Sequence, residues 1–296
     1  MNEILVMPDQ SEIVPYEEAD FPLSSKRFTL SLYPFKRVLC HWHQEFEFFF
    51  VEKGHPSYSV DGIKIPLKEG EGIFVNAKHP HFGYSPDGVD SEYICLVFLP
   101  SLLESSTPVK DEFVSSFLQN ENLPYIKFTK EECLPLYQKA RSIMEVMDKK
   151  EGPYQLLALS DLYSFWSSFV IMKKEENLPK VTSSSKALLV KKMLSFIYAN
   201  YKEKLDVESI ASSASLSKGY ATRLFVSFLE TTPMSYLNSY RIEKSSELLR
   251  DPTKNISEIA SEVGFENPSY FSERFKEEKG ISPKSYRLAQ NEKKDG

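Results

Sequence analysis

No apolar run in this chain approaches the roughly 18 residues that a membrane-spanning helix requires, so no membrane segment is expected. The opening stretch, MNEILVMPDQSEIVPYEEAD, lacks a basic start and an apolar core, and no secretory signal is read from it. Cysteine is scarce. Cys40, Cys95 and Cys133 are scattered and odd in number, which argues against a disulfide framework. They read as small apolar fillers, kept reduced in a cytoplasmic protein. Nucleophile elbow, P-loop and dinucleotide fingerprint are all missing, so no catalytic residue, cofactor or resident metal is assigned.

Positive charge is short overall, with a formal net charge of −6, but it is unevenly spread. Residues 184–296 hold 18 Lys plus Arg against 15 Asp plus Glu, a net of +3, and the remainder holds 18 against 27, a net of −9. That local balance suits phosphate contact, but it is too modest to be a nucleic-acid signal by itself. At 296 residues and 41% hydrophobic content the chain has room for two cores.

The strongest pattern is a repeat between Leu205 and Tyr286. The steps Tyr220 to Tyr270, Phe225 to Phe275, Pro233 to Pro283 and Tyr236 to Tyr286 are each 50 residues, and Ile210 to Ile259 is 49. Two copies of one supersecondary unit are implied, the second with one extra residue before its last helix. In the second copy Asn255 and Glu258 stand as a capping box. Gly264 follows Ile259, Ala260 and Val263 where the chain must turn sharply. Asn267 then caps a helix that starts at Pro268, with Tyr270, Phe271 and Phe275 expected toward a core. In the first copy Asp206 and Ser217 are the expected caps, and Ser215 stands where the second copy has Gly264. Two short helices joined by a tight turn form a helix-turn-helix, whose second helix offers N-terminal side chains to base edges in the major groove. The candidate DNA-contacting residues are Ser217, Lys218, Thr222, Arg223, Asn267, Ser269, Tyr270, Glu273, Arg274 and Lys276. Between the copies, Pro233 to Arg250 reads as a connecting helix, with Thr232 capping it and Asp251-Pro252 stopping it. Such a rod would place the two readers in successive major grooves. The alternative is an all-helical bundle that touches no DNA.

The text ISEIASEVGFENPSYFSERFKEEKGISPKSYR, with YRIEKSSELL upstream, resembles the DNA-binding domain of AraC/XylS-family transcription regulators. The resemblance covers roughly the last hundred residues. It departs in the first copy, where Glu230 and Val226 stand for Gly280 and Lys276, and in the connecting helix at Ser245.

Residues 28–99 read as short strands rich in β-branched and aromatic residues, with Asp61-Gly62 a two-residue hairpin signal. A small antiparallel barrel or jelly roll follows. It contains His41-Trp42-His43-Gln44-Glu45-Phe46-Glu47, with Gly54 after six more residues, then Asn76 and His79-Pro80-His81. This resembles the first cupin motif, with the second degraded. AraC-family regulators commonly carry such a barrel as an effector sensor. Strand alternation would put His41, His43 and Glu47 on one face. Three readings remain open: divalent-metal ligation by His41, His43, Glu47 and His81; hydrogen bonding to a polar small molecule packed against Trp42, Tyr58, Phe74 or Tyr93, with Asn76 nearby; and structural histidines. The family resemblance favours the second.

Residues 130–176 turn helical. Leu134, Tyr137, Ala140, Ile143, Met144 and Met147 keep the spacing of one apolar face. Glu151-Gly152-Pro153 breaks the pattern, and Leu156 to Val170 forms a broader apolar helix. Its width is read either as a homodimer surface or as internal core. Lys173 to Glu176 is expected to be a solvated helix end, and LPKVTSSS a linker.

The expected fold class is α+β. An antiparallel cupin-like barrel with a helical hairpin spans residues 1–177, a linker 178–185, and an all-α domain with two helix-turn-helix motifs 186–296. The resemblance implies a DNA-binding regulator whose partners are double-stranded DNA, a small polar effector such as a sugar, RNA polymerase and a second copy of itself. Activation is implied over repression. A metal-dependent cupin enzyme and an interaction scaffold are the alternatives; the first leaves the duplicated motif without a purpose, and the second predicts partner binding without DNA sequence preference.

Overall fold

The computed structural model describes residues 5–6, 11–120, 122–174 and 185–292. The chain forms two compact units, residues 11–184 and residues 185–296 together with the first ten, and each is taken separately. The linker stretch before Ser185 and the last four residues lie outside the described residues.

A two-residue strand, β1 (Leu5–Val6), is assigned to the C-terminal unit; in the N-terminal unit β2 (Glu12–Ile13) precedes two antiparallel sheets. One has five strands in the order β10 (Tyr125–Phe128), β7 (Gly72–Val75), β4 (Phe46–Lys53), β9 (Glu92–Phe98), β3 (Leu23–Thr29). The other has three, β6 (Ile63–Pro66), β5 (Ser57–Val60), β8 (His81–Tyr84). Asp61 and Gly62 both take positive φ, 50° and 78°, the geometry a tight hairpin turn requires. The sheets face each other across Phe49, Val51, Ile73, Val75 and Tyr93 on one side and Tyr58, Val60 and Ile65 on the other. This is the expected jelly-roll-like barrel.

Alternation along β4 gives the strand two jobs. Phe49 and Val51 point into the barrel. Phe46, Phe48 and Phe50 point away, into an aromatic core shared with a helical hairpin. The hairpin is α3 (Lys130–Lys149) and α4 (Tyr154–Lys174), preceded by the short helices α1 (Thr107–Val109) and α2 (Ser115–Leu118). Phe48 meets the Phe165 and Phe169 rings edge-on at centroid distances of 4.7 and 5.1 Å.

Several sequence expectations are corrected here. β3 begins at Leu23, and the stretch expected to continue it turns instead through two single-turn helices, Leu30–Leu32 and Pro34–Lys36. Residues 37–45 form no strand and pair only through bridges at Arg37 and His41. Strand β10 was missed, being four residues between polar stretches. Leu134 is 55% exposed, because α3 turns Cys133, Leu136, Ala140, Ile143 and Met144 inward. Lys173 is buried, not solvated; its ammonium donates to Glu132 at 2.9 Å and lies 5.5 Å from the Phe128 ring.

The C-terminal unit contains seven helices among the described residues: α5 (Ser185–Asn200), α6 (Val207–Ser213), α7 (Lys218–Leu229), α8 (Pro233–Leu248), α9 (Ile256–Glu262), α10 (Pro268–Lys279) and α11 (Pro283–Glu292). Helix α8, at 16 residues, is a rod of roughly 24 Å joining α6–α7 to α9–α10. Ile242 and Leu249 pack with Ile259, Val263, Phe265, Phe271, Phe275 and Tyr286 as the core of the second copy. The buried Glu278 accepts from Ser239 at 3.0 Å, and Lys279 pairs with Glu243 at 2.6 Å, which fastens α10 to α8.

The expected caps divide. Asn255 accepts from the Glu258 amide at 2.9 Å, and Glu258 accepts from the Asn255 amide at 2.8 Å. Asn267 accepts from the amides of Ser269 and Tyr270. Ser217 makes no side-chain cap bond, against expectation. Asn255→Ala is therefore expected to destabilise the unit by about 1 kcal/mol. Ser217→Ala should stay within about 0.5 kcal/mol. Urea unfolding of both variants checks the difference; equal losses would contradict it.

Candidate functional site

Two places gather the candidate side chains, one in each unit. In the C-terminal unit, α7 and α10 leave their N-terminal turns in solvent. Ser217, Lys218, Tyr220 and Arg223 are exposed on α7, as are Asn267, Ser269, Tyr270, Glu273 and Lys276 on and just before α10. Thr222 is half-buried, and its hydroxyl donates back to the Lys218 carbonyl at 2.9 Å. Val226, one turn beyond Thr222, is 47% exposed. Sequence reading marks it only as a departure from Lys276 and does not place it on the DNA face. Arg274 lies lower on α10 and is bonded to Glu277 at 2.5 Å and Glu278 at 3.2 Å. Tyr270 is 44% exposed rather than in the core; its ring meets Phe265 at 6.0 Å and its hydroxyl accepts from Asn238 at 3.2 Å.

Behind these helices the tight turns differ. Ser215 takes φ 58° with its side chain in solvent. Gly264 takes φ 91°, and a β-carbon there would stand 2.5 Å from the Tyr201 carbonyl oxygen. Buried Arg241, on α8, donates to that same carbonyl at 2.8 Å and to the Glu203 carbonyl at 2.7 Å. One guanidinium thus holds the α5–α6 loop against the second motif.

The N-terminal unit holds a buried polar cluster at one end of the barrel. His41 pairs with His81 across a β-bridge, which brings their ring centroids to 4.4 Å. His43 stands 4.8 Å from His81, ring to ring. Glu47, pointing inward from β4, has one oxygen 3.2 Å from His43 Nε2 and 3.3 Å from His81 Nε2. Its other oxygen accepts from the Tyr58 hydroxyl. Glu12 lies 3.4 Å from His41 Nε2, and Glu45 3.4 Å from His43 Nδ1. Tyr16 donates to Glu45 at 2.9 Å. Burial pushes the Glu47 carboxyl up, but His81 and His43 outweigh it and hold the group well below the usual carboxylate range. Burial, the largest cause for each, pushes Glu12 up and His41 down and outweighs their mutual attraction. A clustered set of imidazoles and carboxylates inside a barrel can coordinate a cation or hydrogen-bond a small polar ligand.

A family model described as an AraC-like ligand binding domain matches residues 34–165, and one described as a helix-turn-helix domain matches residues 210–289. The chain belongs to the AraC family of transcription regulators. It is 27% identical to an uncharacterized HTH-type transcriptional regulator of Bacillus subtilis, YdeC, over 97% of this chain and 99% of that one. It is 25% identical to the melibiose operon regulatory protein of Escherichia coli, over 83% and 82%. The structure of ToxT from Vibrio cholerae matches with a TM-score of 0.45 at 15% identity, covering 90% of this chain and 98% of that one.

Within this AraC-type architecture the expected ligand residues separate. His41, His43, Glu47, His81 and Tyr58 come together, and Tyr93 lines the same interior, stacked on Phe49 at 4.1 Å. Phe74 does not join them; alternation on β7 sends it to the hairpin core, 4.9 Å from Phe48. Asn76 is spent on structure, donating to the carbonyls of Phe117 at 2.8 Å and Leu123 at 3.1 Å. Trp42 is buried, and its carbonyl accepts from the Glu12 amide at 2.7 Å. The histidines converge although no continuous strand carries them: the bridge to β8 does that work. Sequence reading missed Glu12 and Glu45. Glu45 was visible between His43 and Glu47, whereas Glu12, about thirty residues upstream of His41, gave no signal. Among the described residues no helix is long and apolar enough to cross a membrane.

Proposed function

We propose that this AraC-type regulator activates transcription in response to a small polar effector taken up in the N-terminal barrel, binding promoter DNA as a homodimer and contacting RNA polymerase. The observation that carries the reading is the buried set of His41, His43, Glu47 and His81 in one unit of a chain whose other unit exposes two reader helices. The effector is polar because the cluster offers hydrogen-bonding and charged groups. A sugar is supported by the relatives named for the melibiose operon and, in Staphylococcus xylosus, as a lactose operon transcription activator. The homodimer is supported by Leu156, Leu157 and Ile171, exposed on α4. The effector acts only to the extent that it binds the DNA-competent state more tightly than the other. The sensor unit is assigned to the residues before the linker and the reader unit to those from α5 onward.

Ser217, Lys218, Thr222, Arg223, Asn267, Ser269, Tyr270, Glu273, Arg274 and Lys276 are assigned to the DNA face, with Arg223 as the base-reading arginine of the first copy. Capturing sheared genomic DNA on the purified protein, with and without cell extract as an effector source, tests the reading. A few enriched promoters sharing a two-part site support it, and flat retention in both arms refutes it. On a recovered site, Arg223→Ala is expected to weaken binding by about ten- to a hundredfold and to relax preference at one position. Unchanged affinity and preference would remove Arg223 from the reader.

A further inference from the structure

We propose that Glu273 reads a cytosine, so that α10 requires a different base from the one Arg223 takes on α7, and the duplicated motif recognises two unlike half-sites. This rests on the assignment of both helices to the DNA face, and the test below separates the two.

The first support is where the copies agree and where they part. The 50-residue offset pairs Ala221 with Phe271 and Phe225 with Phe275. All four are buried, so packing keeps these positions apolar in both copies. The same offset pairs Gly219 with Ser269, Arg223 with Glu273 and Val226 with Lys276. These positions recur at i, i+4 and i+7, which makes them one stripe along each helix. All six residues are exposed. Each of the three positions differs between the copies, and the middle one reverses its charge. A base edge that attracts a guanidinium repels a carboxylate, so the two stripes cannot ask for the same base there.

The second support is that both side chains are uncommitted. Arg223 stands six positions after Ser217 and Glu273 six after Asn267, less than two turns into each helix. Arg274 is held by Glu277 and Glu278, and Lys279 by Glu243. Among the described residues no hydrogen bond or ion pair engages the Glu273 carboxylate or the Arg223 guanidinium. In water a surface carboxylate needs no partner. Against DNA it does, because phosphates repel it and the groove strips its water. A donor on a base edge offsets both costs.

The third support is the chemistry of the edges. Guanine offers O6 and N7 and thymine offers O4, all acceptors that repel a carboxylate. Cytosine offers its N4 amino group. Adenine has the N6 donor, but its N7 would meet the second carboxylate oxygen lone pair to lone pair. Cytosine is therefore preferred at Glu273, as guanine is at Arg223. The helices divide the work in charge as well. Helix α7 carries Lys218 and Arg223 and no acid, whereas α10 sets Arg274, Lys276 and Lys279 against Glu273, Glu277 and Glu278. Helix α7 thus contributes more attraction to phosphates, and α10 more discrimination between bases.

The test is selection from randomised DNA duplexes by the purified full-length protein at one stated salt concentration, with and without cell extract, followed by sequencing. The wild type is expected to enrich a two-part site. Arg223→Ala should flatten one guanine position, which marks the half read by α7. The other half, about one helical turn away, should hold a preferred cytosine. Glu273→Gln should turn that preference toward adenine, and Glu273→Arg toward guanine, each by about tenfold or more, with the first half unchanged. A carboxylate that only repels phosphate gives another result: Glu273→Gln would tighten binding to every sequence and leave the preference as it was. That outcome would overturn the inference, as would a second half without a preferred cytosine in the wild type. An enriched site indifferent to Glu273 refutes this inference alone. No enriched site in either arm refutes the DNA-reader assignment, and this inference with it.

Discussion

Gly264→Ala is expected to destabilise the C-terminal unit by about 3 kcal/mol or more and to abolish site-specific DNA binding at moderate temperature. Two costs add. The backbone there has φ 91°, where an L side chain is strained by roughly 1–2 kcal/mol. The new β-carbon also has nowhere to go. It would stand 2.5 Å from the Tyr201 carbonyl oxygen, 2.9 Å from the Lys202 carbonyl oxygen and 2.9 Å from Arg241 Nη2. Two of these are backbone atoms, and the third is a guanidinium already committed to Tyr201 and Glu203. Moving the Tyr201 carbonyl or the guanidinium breaks charge-assisted hydrogen bonds at a buried arginine, where an unpaired donor is costly. The damage would reach DNA because Arg241 belongs to α8, the rod between the readers. Ser215→Ala is the control. It occupies the matching turn of the first copy at φ 58°, exposed, and already carries a β-carbon, so its loss should stay within about 0.5 kcal/mol. Thermal unfolding and binding to a recovered promoter site measure both. An alanine at 264 costing under about 1 kcal/mol would mean the loop relaxes freely, contrary to the packing described.

That asymmetry between the copies shows which physics was legible in the sequence. The 50-residue repeat, the capping boxes and the glycine turn are local devices, written in adjacent residues, and they appear where the repeat places them. The helical hairpin and the Asp61-Gly62 turn are local too. What was not legible depends on contacts between distant segments. Phe74 and Tyr93 are both aromatic strand residues, but which face each takes depends on register against β4, and they fall on opposite sides of the sheet. Lys173 follows an apolar run and precedes charged residues, so it reads as solvated; its burial depends on Glu132, 41 positions earlier. His41 and His43 converge through a bridge to β8 rather than along a strand, so the cluster forms through a local geometry other than the one expected. Ser217 reads as a cap by type and position but makes no cap bond.

Phe48→Ala is expected to cost the N-terminal unit about 3–5 kcal/mol, among the largest losses available to a single core change. Its side chain is wholly buried and sits among rings: Phe74 at 4.9 Å, Phe165 at 4.7 Å and Phe169 at 5.1 Å between centroids. Strand and hairpin are both anchored by backbone hydrogen bonds, so the vacated volume would collapse only in part. Phe35→Ala, at a phenylalanine 63% exposed, should change little and serves as control. Urea midpoints measure the loss, and hydrogen exchange at β4 and α4 localises it; a loss under about 1 kcal/mol would show that the aromatic layer repacks. The consequence extends beyond stability because of where Phe48 lies. It follows Glu47, which faces the polar cluster, and alternation fixes the two side chains on opposite faces of one strand. A ligand that displaced Glu47 by shifting the β4 backbone would also move Phe46 and Phe48 against Trp166 and Phe165. Close-packed aromatic layers do not yield continuously, so a shift of the strand at the cluster would be expected to reach the hairpin as a repacking of α4. Truncating Phe48 would uncouple the two faces, and faster exchange in α4 with the polar cluster's own residues unchanged would be the signature.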